Sequence, residues 1–514
     1  MVRPLLVVPF GGPDDPLEQL KSCDQARYIL CYLADLNARS ALVEPTYFDR
    51  DYLSEFASFY CTSTAGYPNV CKRVHYFSAE VDRELLTAAC SGVRQAQELL
   101  NAHYLGFVVL RPIQGTPLGR TVLRWYGDKT PHLPRVDTPS RNYEAHVAGF
   151  SLQVRGLAWQ QQDTGVGACA TIALWSMLHS SAFDDRHVIP TTAEITQTAH
   201  RAGLTGDRLF PSEGLTFGQL VAAVRDSGFA PLVVTGKVQR GNETSFSREH
   251  FCSSLAALVR SGFPVLIAGT LTETGGASMG GHAVCATGFR QAGVRDESAG
   301  KLSFEDEDTE YVYLHDDNIG PSVRFRIDVE TTSGGEVVIL RPSRPPPQHD
   351  PARSDPVASY PCLRPSSLLA AAHEEIRITP DRLHERALHL GTMLIAMTGG
   401  QLGLSASARF FNLRHFVGAE LGRLLGHHPE ALAKVRLALW EEVHPMSLHL
   451  GVIRIGYKGT PLMDVLFDTT DSEPNTRAFA HLIYEPAMEG LLDGLVAQRP
   501  EADRLLGPRV LATS

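Results

Sequence analysis

The chain has 514 residues, room for roughly two to four domains of ordinary size. Hydrophobic residues make up 43% and charged residues 20%, a globular composition that excludes wholesale disorder. A net charge of −10 without a basic stripe argues against nucleic acid as a partner, and the lack of any run of about 18 apolar residues argues against a membrane one.

The opening, MVRPLLVVPFGGPDDP, reads as a short strand and a turn; a signal peptide would need a longer apolar core. Residues 80–101 place Val81, Leu85, Leu86 and Ala89 near helical spacing and predict one helix. Residues 106–111, GFVVLR, predict a buried strand. Arg73, His75 and Arg111 read as ordinary packing and surface charge in preference to a site for an acidic group. The polar, proline-bearing stretch 126–143 marks a soft boundary, and a domain change is expected near 145–155, giving an N-terminal mixed α/β domain over 1–148.

The middle region, 149–341, has a different rhythm. A glycine-rich loop leads into ATIALWSML (170–178), which reads as a buried helix, and more helices follow to about 227. A helix is expected over 247–261 and a buried strand over 264–270, then strands over 282–289, 311–315, 323–329 and 336–340. Helices first and strands second is an α+β layout. The proline-rich run 341–365 predicts an extended, exposed linker (342–365). Beyond it, 366–514 is expected to be a small α+β domain, helical over about 366–440, with strands at 447–457, 461–468 and 479–484. Its place behind a linker suggests a recognition or docking module.

Nine cysteines stand at 23, 31, 61, 71, 90, 169, 252, 285 and 362, odd in number and without a CxxC pair. That disfavours a disulfide framework and a zinc site built on cysteine pairs, and it points to a reducing, cytoplasmic setting. Cys169 is the exception in its surroundings. It joins a small-residue loop, DTGVGA, to an apolar helix, and a helix N-terminus offers free N–H groups and partial positive charge that stabilise a thiolate. Gly167, Ala168 and Ala170 leave room for a substrate. Gln162, with Gln161 as the alternative, supplies a side-chain amide for a developing oxyanion, a donor worth about 3–4 kcal/mol.

His282 opens a strand after the glycine pair Gly280-Gly281 and is the expected base. His282, Val284 and Ala286 share one strand face, which turns Cys285 toward the core. The strand 311–315 ends in Asp316-Asp317-Asn318. One of these would hold the imidazole N–H; Asp317 is preferred, with Asp316 and Asn318 as the other candidates.

The order Gln162, Cys169, His282, Asp316/Asp317, with cysteine on a helix and the others on later strands, resembles the papain-like cysteine peptidases. It is closest to the bacteriocin-processing, double-glycine type, over roughly 150–340. The phrases GLTFGQLVAAVRDSGF (214–229) and SSLAALVRSGFPVLIAG (253–269) belong to the same resemblance. The resemblance implies cleavage of a peptide or isopeptide bond in a protein or peptide substrate through a thioester, with no metal or organic cofactor. Two alternatives share the residues: transglutaminase- or deamidase-like acyl transfer, and a catalytically idle papain-like module serving as a binding scaffold. The flanking domains would then meet a protein partner. No phosphate loop or nucleophile elbow occurs, and HERALH (384–389) spaces its histidines by five where a zinc helix needs four.

Overall fold

β-branched and aromatic runs dictate the first sheet. In the computed structural model, β1 (Leu6–Pro9), β2 (Ser40–Tyr47), β3 (Cys71–Phe77), β4 (Tyr104–Leu110) and β5 (Leu118–Leu123) pair antiparallel in chain order. The structure describes residues 5–126, 135–180, 188–201, 209–240, 243–273, 277–291, 298–332, 334–343, 360–426, 428–443, 446–470 and 478–511. Helices α1 (Asp24–Asp35), α2 (Arg50–Ser58), α3 (Arg83–Cys90) and α4 (Arg94–His103) fill the connections. The single helix expected over 80–101 is therefore two. Gly92 takes φ +84° and ends α3, with Gly92 N–H on Ala89 O and Val93 N–H on Ala88 O, so the chain turns before α4 begins.

The expected domain change falls inside one small unit. After β6 (Val136–Asp137) comes a hairpin, β7 (Arg141–Val147) and β8 (Phe150–Gly156), whose turn carries the 148/149 boundary. Part of the softer boundary, 127–134, lies outside the described residues.

Four helices then precede most of the strands, as expected: α5 (Cys169–Leu178), α6 (Thr192–Arg201), α7 (Phe217–Asp226) and α8 (Arg248–Arg260). The strands are β9 (Ala230–Thr235), a short pair β10 (Val238–Arg240) and β11 (Glu243–Ser245), β12 (Val265–Thr272), β13 (Ser278–Gln291), β14 (Leu302–Phe304), β15 (Thr309–Asp316), β16 (Gly320–Thr332), β17 (Gly335–Pro342) and β18 (Cys362–Ala372). The main sheet runs β12-β13-β15-β16-β17-β18, and β12 also pairs with β18, so the sheet closes on itself. β9 extends it beside β18, and β6 adds to β13.

β18 corrects the linker. Residues 344–359 of it lie outside the described residues, but Cys362 to Pro365 are a strand that pairs with β12. Pro365 sits opposite Gly269 where the register shifts, and a Cβ on Gly269 would lie 2.1 Å from the Arg364 carbonyl oxygen. A bulge is where a strand tolerates proline, and the facing glycine makes the close approach possible.

The helical start expected over 366–440 is corrected too. Residues 366–372 belong to β18, and β19 (Leu404–Asn412) interrupts the helices, of which α9 (Pro380–Met397) is the longest. The three late strands are where they were expected, as β20 (His449–Tyr457), β21 (Thr460–Asp468) and β22 (Ala478–Ile483), followed by β23 (Arg509–Leu511). This sheet runs β14-β19-β20-β21-β22-β23, so the middle region lends it β14. One continuous apolar cluster reaches from Leu17 and Tyr28 through Phe251 and Phe289 to Leu383, Phe410 and Leu492. The fold is α+β throughout. Among the described residues no helix is long and apolar enough to cross a membrane.

Candidate active site

α5 is apolar on every side, so it buries every residue from Ala170 to Leu178 and leaves only Cys169, at its first position, half-exposed. Ala168 precedes it in extended backbone, and no side chain caps the helix. The first-turn N–H groups therefore remain available beside the sulfur. α5 packs against β13, which carries His282. Cys169 and His282 line one cavity of about 560 Å³, together with Leu215, Phe217, Ala268 and Gly281. Added Cβ atoms at Gly280 and Gly281 would meet nothing within 4 Å, so the glycine pair leaves open space next to the histidine.

His282 is 5% exposed, and its Nε2–H donates to Asp316 Oδ1 at 3.3 Å. Asp317 Oδ1 is farther, at 3.8 Å. Asp316 and not the preferred Asp317 is thus the closer partner of the ring. β15 explains why: Asp316 is its last residue, and its Oδ1 is also fixed by the Asn318 N–H at 2.9 Å. Trp159 Nε1–H donates to the Asp316 carbonyl at 2.9 Å. With Nε2 turned to Asp316, Nδ1 is the ring nitrogen left over, and Cys169 shares the cavity with the ring and helps to raise its pKa. Burial opposes the imidazolium, but Asp316, Cys169 and Asp317 outweigh it and hold the ring's pKa well above its usual value. Burial pushes Asp317 up to about 7; His282 works against that rise and the adjacent Asp316 adds to it.

The amides are placed otherwise than expected. Gln162 Nε2 donates to Asn318 Oδ1 at 2.7 Å, so this amide and the acid turn form one unit. Gln161, the alternative, faces the N-terminal sheet: its Oε1 accepts the Leu118 N–H and its Nε2 donates to Cys23 Sγ. Asn318 is an orienting residue for Gln162 and Asp316 and makes no recorded contact with His282.

Sequence reasoning missed what holds the cysteine loop. Asp163 Oδ1 accepts three backbone N–H groups, from Gly165 at 2.8 Å, Val166 at 2.6 Å and Gly167 at 3.1 Å. Its Oδ2 pairs with Arg111 at 3.3 Å, and Arg111 also binds Glu55 at 2.9 Å and the Gln161 carbonyl at 3.0 Å. Gln160 and Thr192 donate to the other oxygen of Glu55. Burial pushes Glu55 up to about 7 in spite of Arg111. The signal was present: an aspartate followed by Thr-Gly-Val-Gly is a side chain able to cap its own turn. Gly165 belongs to the same arrangement, since a Cβ there would lie 2.6 Å from the Phe59 ring. On the acid side, α1 contributes Gln25, which donates to the Asp317 carbonyl, and Tyr28, whose ring would be 2.2 Å from a Cβ on Gly320.

Two other thiols of the middle region are buried where Cys169 is partly exposed. Cys285 is fully buried and burial raises its pKa; burial pushes Cys252 up to about 12. His282, Asp316 and Asp317 bring one ring nitrogen and two carboxylate oxygens within 4.8 Å of one another, a donor set able to hold a cation. Comparison with known proteins adds no family to this geometry: no family model matches the sequence, and no curated protein matches it significantly.

Proposed function

We propose that this chain is a papain-like cysteine hydrolase that cleaves a peptide or isopeptide bond through Cys169, His282 and Asp316. The carrying observation is a single cavity in which a cysteine at the tip of a buried helix meets a histidine whose far nitrogen is held by a carboxylate. A helical layer carrying the nucleophile against a closed sheet carrying base and acid supports the papain-like reading.

In the reaction, His282 Nδ1 takes the Cys169 proton and the sulfur attacks the substrate carbonyl carbon. The free N–H groups at the start of α5 receive the oxyanion. The C–N bond breaks as His282 returns the proton to the leaving amine. Water, deprotonated by the same ring, then releases the acyl group and restores the thiol. Asp316 keeps the ring in the tautomer this cycle needs. The glycine-walled opening beside His282 suits an extended chain, in keeping with a peptide or protein substrate. Nine free thiols, Cys169 included, suit a reducing, cytoplasmic setting.

The test is residue-level mass spectrometry after labelling the full chain with an electrophilic peptide probe. Cys169 is expected to react far faster than Cys252 or Cys285, and His282→Ala to abolish that selectivity. Equal, slow labelling of all three would point to an idle scaffold. Where labelling is selective, the product decides the chemistry: a free carboxylate means hydrolysis, and a new amide means acyl transfer.

A further inference from the structure

The reaction leaves one buried acid without work. Asp316 serves His282, while Asp317 is 2% exposed and its Oδ2 has no hydrogen-bond partner. Gln25 reaches only the Asp317 carbonyl. Among the described residues no lysine or arginine forms an ion pair with either aspartate; the only cationic group within reach is His282, already shared with Asp316. A second buried carboxylate beside an occupied imidazole is a costly arrangement unless something else binds there.

We infer that His282 Nε2, Asp316 and Asp317 form a divalent-cation site of the zinc class, and that a cation bound there switches off the chemistry of Cys169. The binding half of this inference stands on the three donors alone; the switching half rests on the hydrolase reading.

The spacing fits. Metal–ligand bonds of about 2.0–2.2 Å in a tetrahedron put neighbouring donors about 3.4 Å apart. Nε2 lies 3.3 Å from Asp316 Oδ1 and 3.8 Å from Asp317 Oδ1, each within a few tenths of an ångström of that spacing, and all three donors lie within 4.8 Å of one another. One imidazole and two carboxylates suit zinc better than magnesium or calcium, which take mainly oxygen. Outer contacts of the kind that orient metal ligands already exist: the Asn318 N–H on Asp316 Oδ1 and the Trp159 indole on the Asp316 carbonyl. Of the three donors, His282 lines the cavity, and Asp316 and Asp317 lie buried behind its ring.

The switch follows from where the ring proton goes. A cation on Nε2 takes the lone pair of that nitrogen and displaces its proton from the Asp316 contact. The neutral ring then carries its hydrogen on Nδ1, facing the thiol. A ring protonated at Nδ1 cannot accept the Cys169 proton, and the cycle stops at its first step.

Calorimetric titration of chelator-treated full-length protein with zinc tests the binding. One site is expected in the natural sequence and in Cys169→Ala, with affinity lower by at least about tenfold in Asp317→Asn. Zinc should slow probe labelling of Cys169 in the natural protein and leave Asp317→Asn unaffected at the same concentration. X-ray absorption at the zinc edge of the 1:1 sample should show nitrogen and oxygen neighbours only. A sulfur neighbour near about 2.3 Å would place the metal on the thiol and overturn the site. So would affinity equal in all three proteins, or no binding at all. Should Asp317→Asn fail to fold, the X-ray absorption result decides. If Cys169 fails to label even without zinc, the hydrolase reading falls, and the cation site is still judged by calorimetry.

Discussion

The N-terminal and C-terminal regions both share apolar burial with the middle of the molecule, and they differ in the polar ties they add. The N-terminal region reaches in with buried polar groups: Arg111 and Glu55 hold the cysteine loop through Asp163, and α1 backs the acid turn with Gln25 and Tyr28. The C-terminal region shares a strand and an apolar core, through β18 beside β12 and Phe410 against Phe263. Its polar ties to the middle include exposed pairs such as Lys237 with Asp381 and Glu385. Directional bonds to the cysteine loop and the acid turn set where the atoms of the candidate site stand, and shared burial sets whether the regions stay together. The N-terminal region is thus part of what positions the site.

Four substitutions probe that contrast. Arg111→Met strands Glu55 and Asp163 without their cation; a loss of about 3–5 kcal/mol is expected in denaturant melts, together with loss of selective Cys169 labelling. Normal labelling in a folded Arg111→Met protein would break the comparison.

Asp316→Asn is expected to cut turnover by about 10²–10⁴-fold and to lower the upper pH limb of the activity profile. The raised pKa of His282 is stability present below the ring's unfolded value of about 6.5 and lost as the pH rises through its folded value. The Tm deficit of Asp316→Asn should accordingly be largest near pH 6 (roughly the unfolded value) and shrink in alkali.

Gly320→Ala drives a methyl group into the Tyr28 ring, and about 1–3 kcal/mol should be lost. Tyr28→Ala in the same chain should recover part of that loss, since it removes the clash; no recovery would mean that α1 does not press on the acid turn. Lys237→Met closes the series on the C-terminal side. Its side chain is 59% exposed and its charge is screened by solvent, so a change within about 0.5 kcal/mol is expected.

Much of the middle region was legible because its signals are local. An apolar run after a small-residue loop marks α5, and a glycine pair before a β-branched run marks the start of the strand face bearing His282. The acid was legible only as a choice, because Asp316 and Asp317 are adjacent and differ by 3.3 Å against 3.8 Å, a difference set by backbone direction at the end of β15. Asp163 passed unnoticed within the small-residue loop, since its partner Arg111 stands 52 residues away. β18 was hidden by composition. Proline weighs against a strand by local rules, and only the absent side chain of Gly269, on another strand, makes room for Pro365. Pairings of that kind depend on residues far apart in the chain, and no window of sequence contains both.

The closing of the sheet by β18 also sets an order of events during synthesis. β12 and β13, with His282, leave the ribosome well before the strand that covers the other flank of β12. Until residues 362–372 emerge, β12 presents an open edge and the wall of the cavity that contains Ser366 and Ser367 is missing. A nascent chain therefore carries its cysteine and histidine for some time without the finished cavity, and only a molecule translated past the proline-rich segment can complete it.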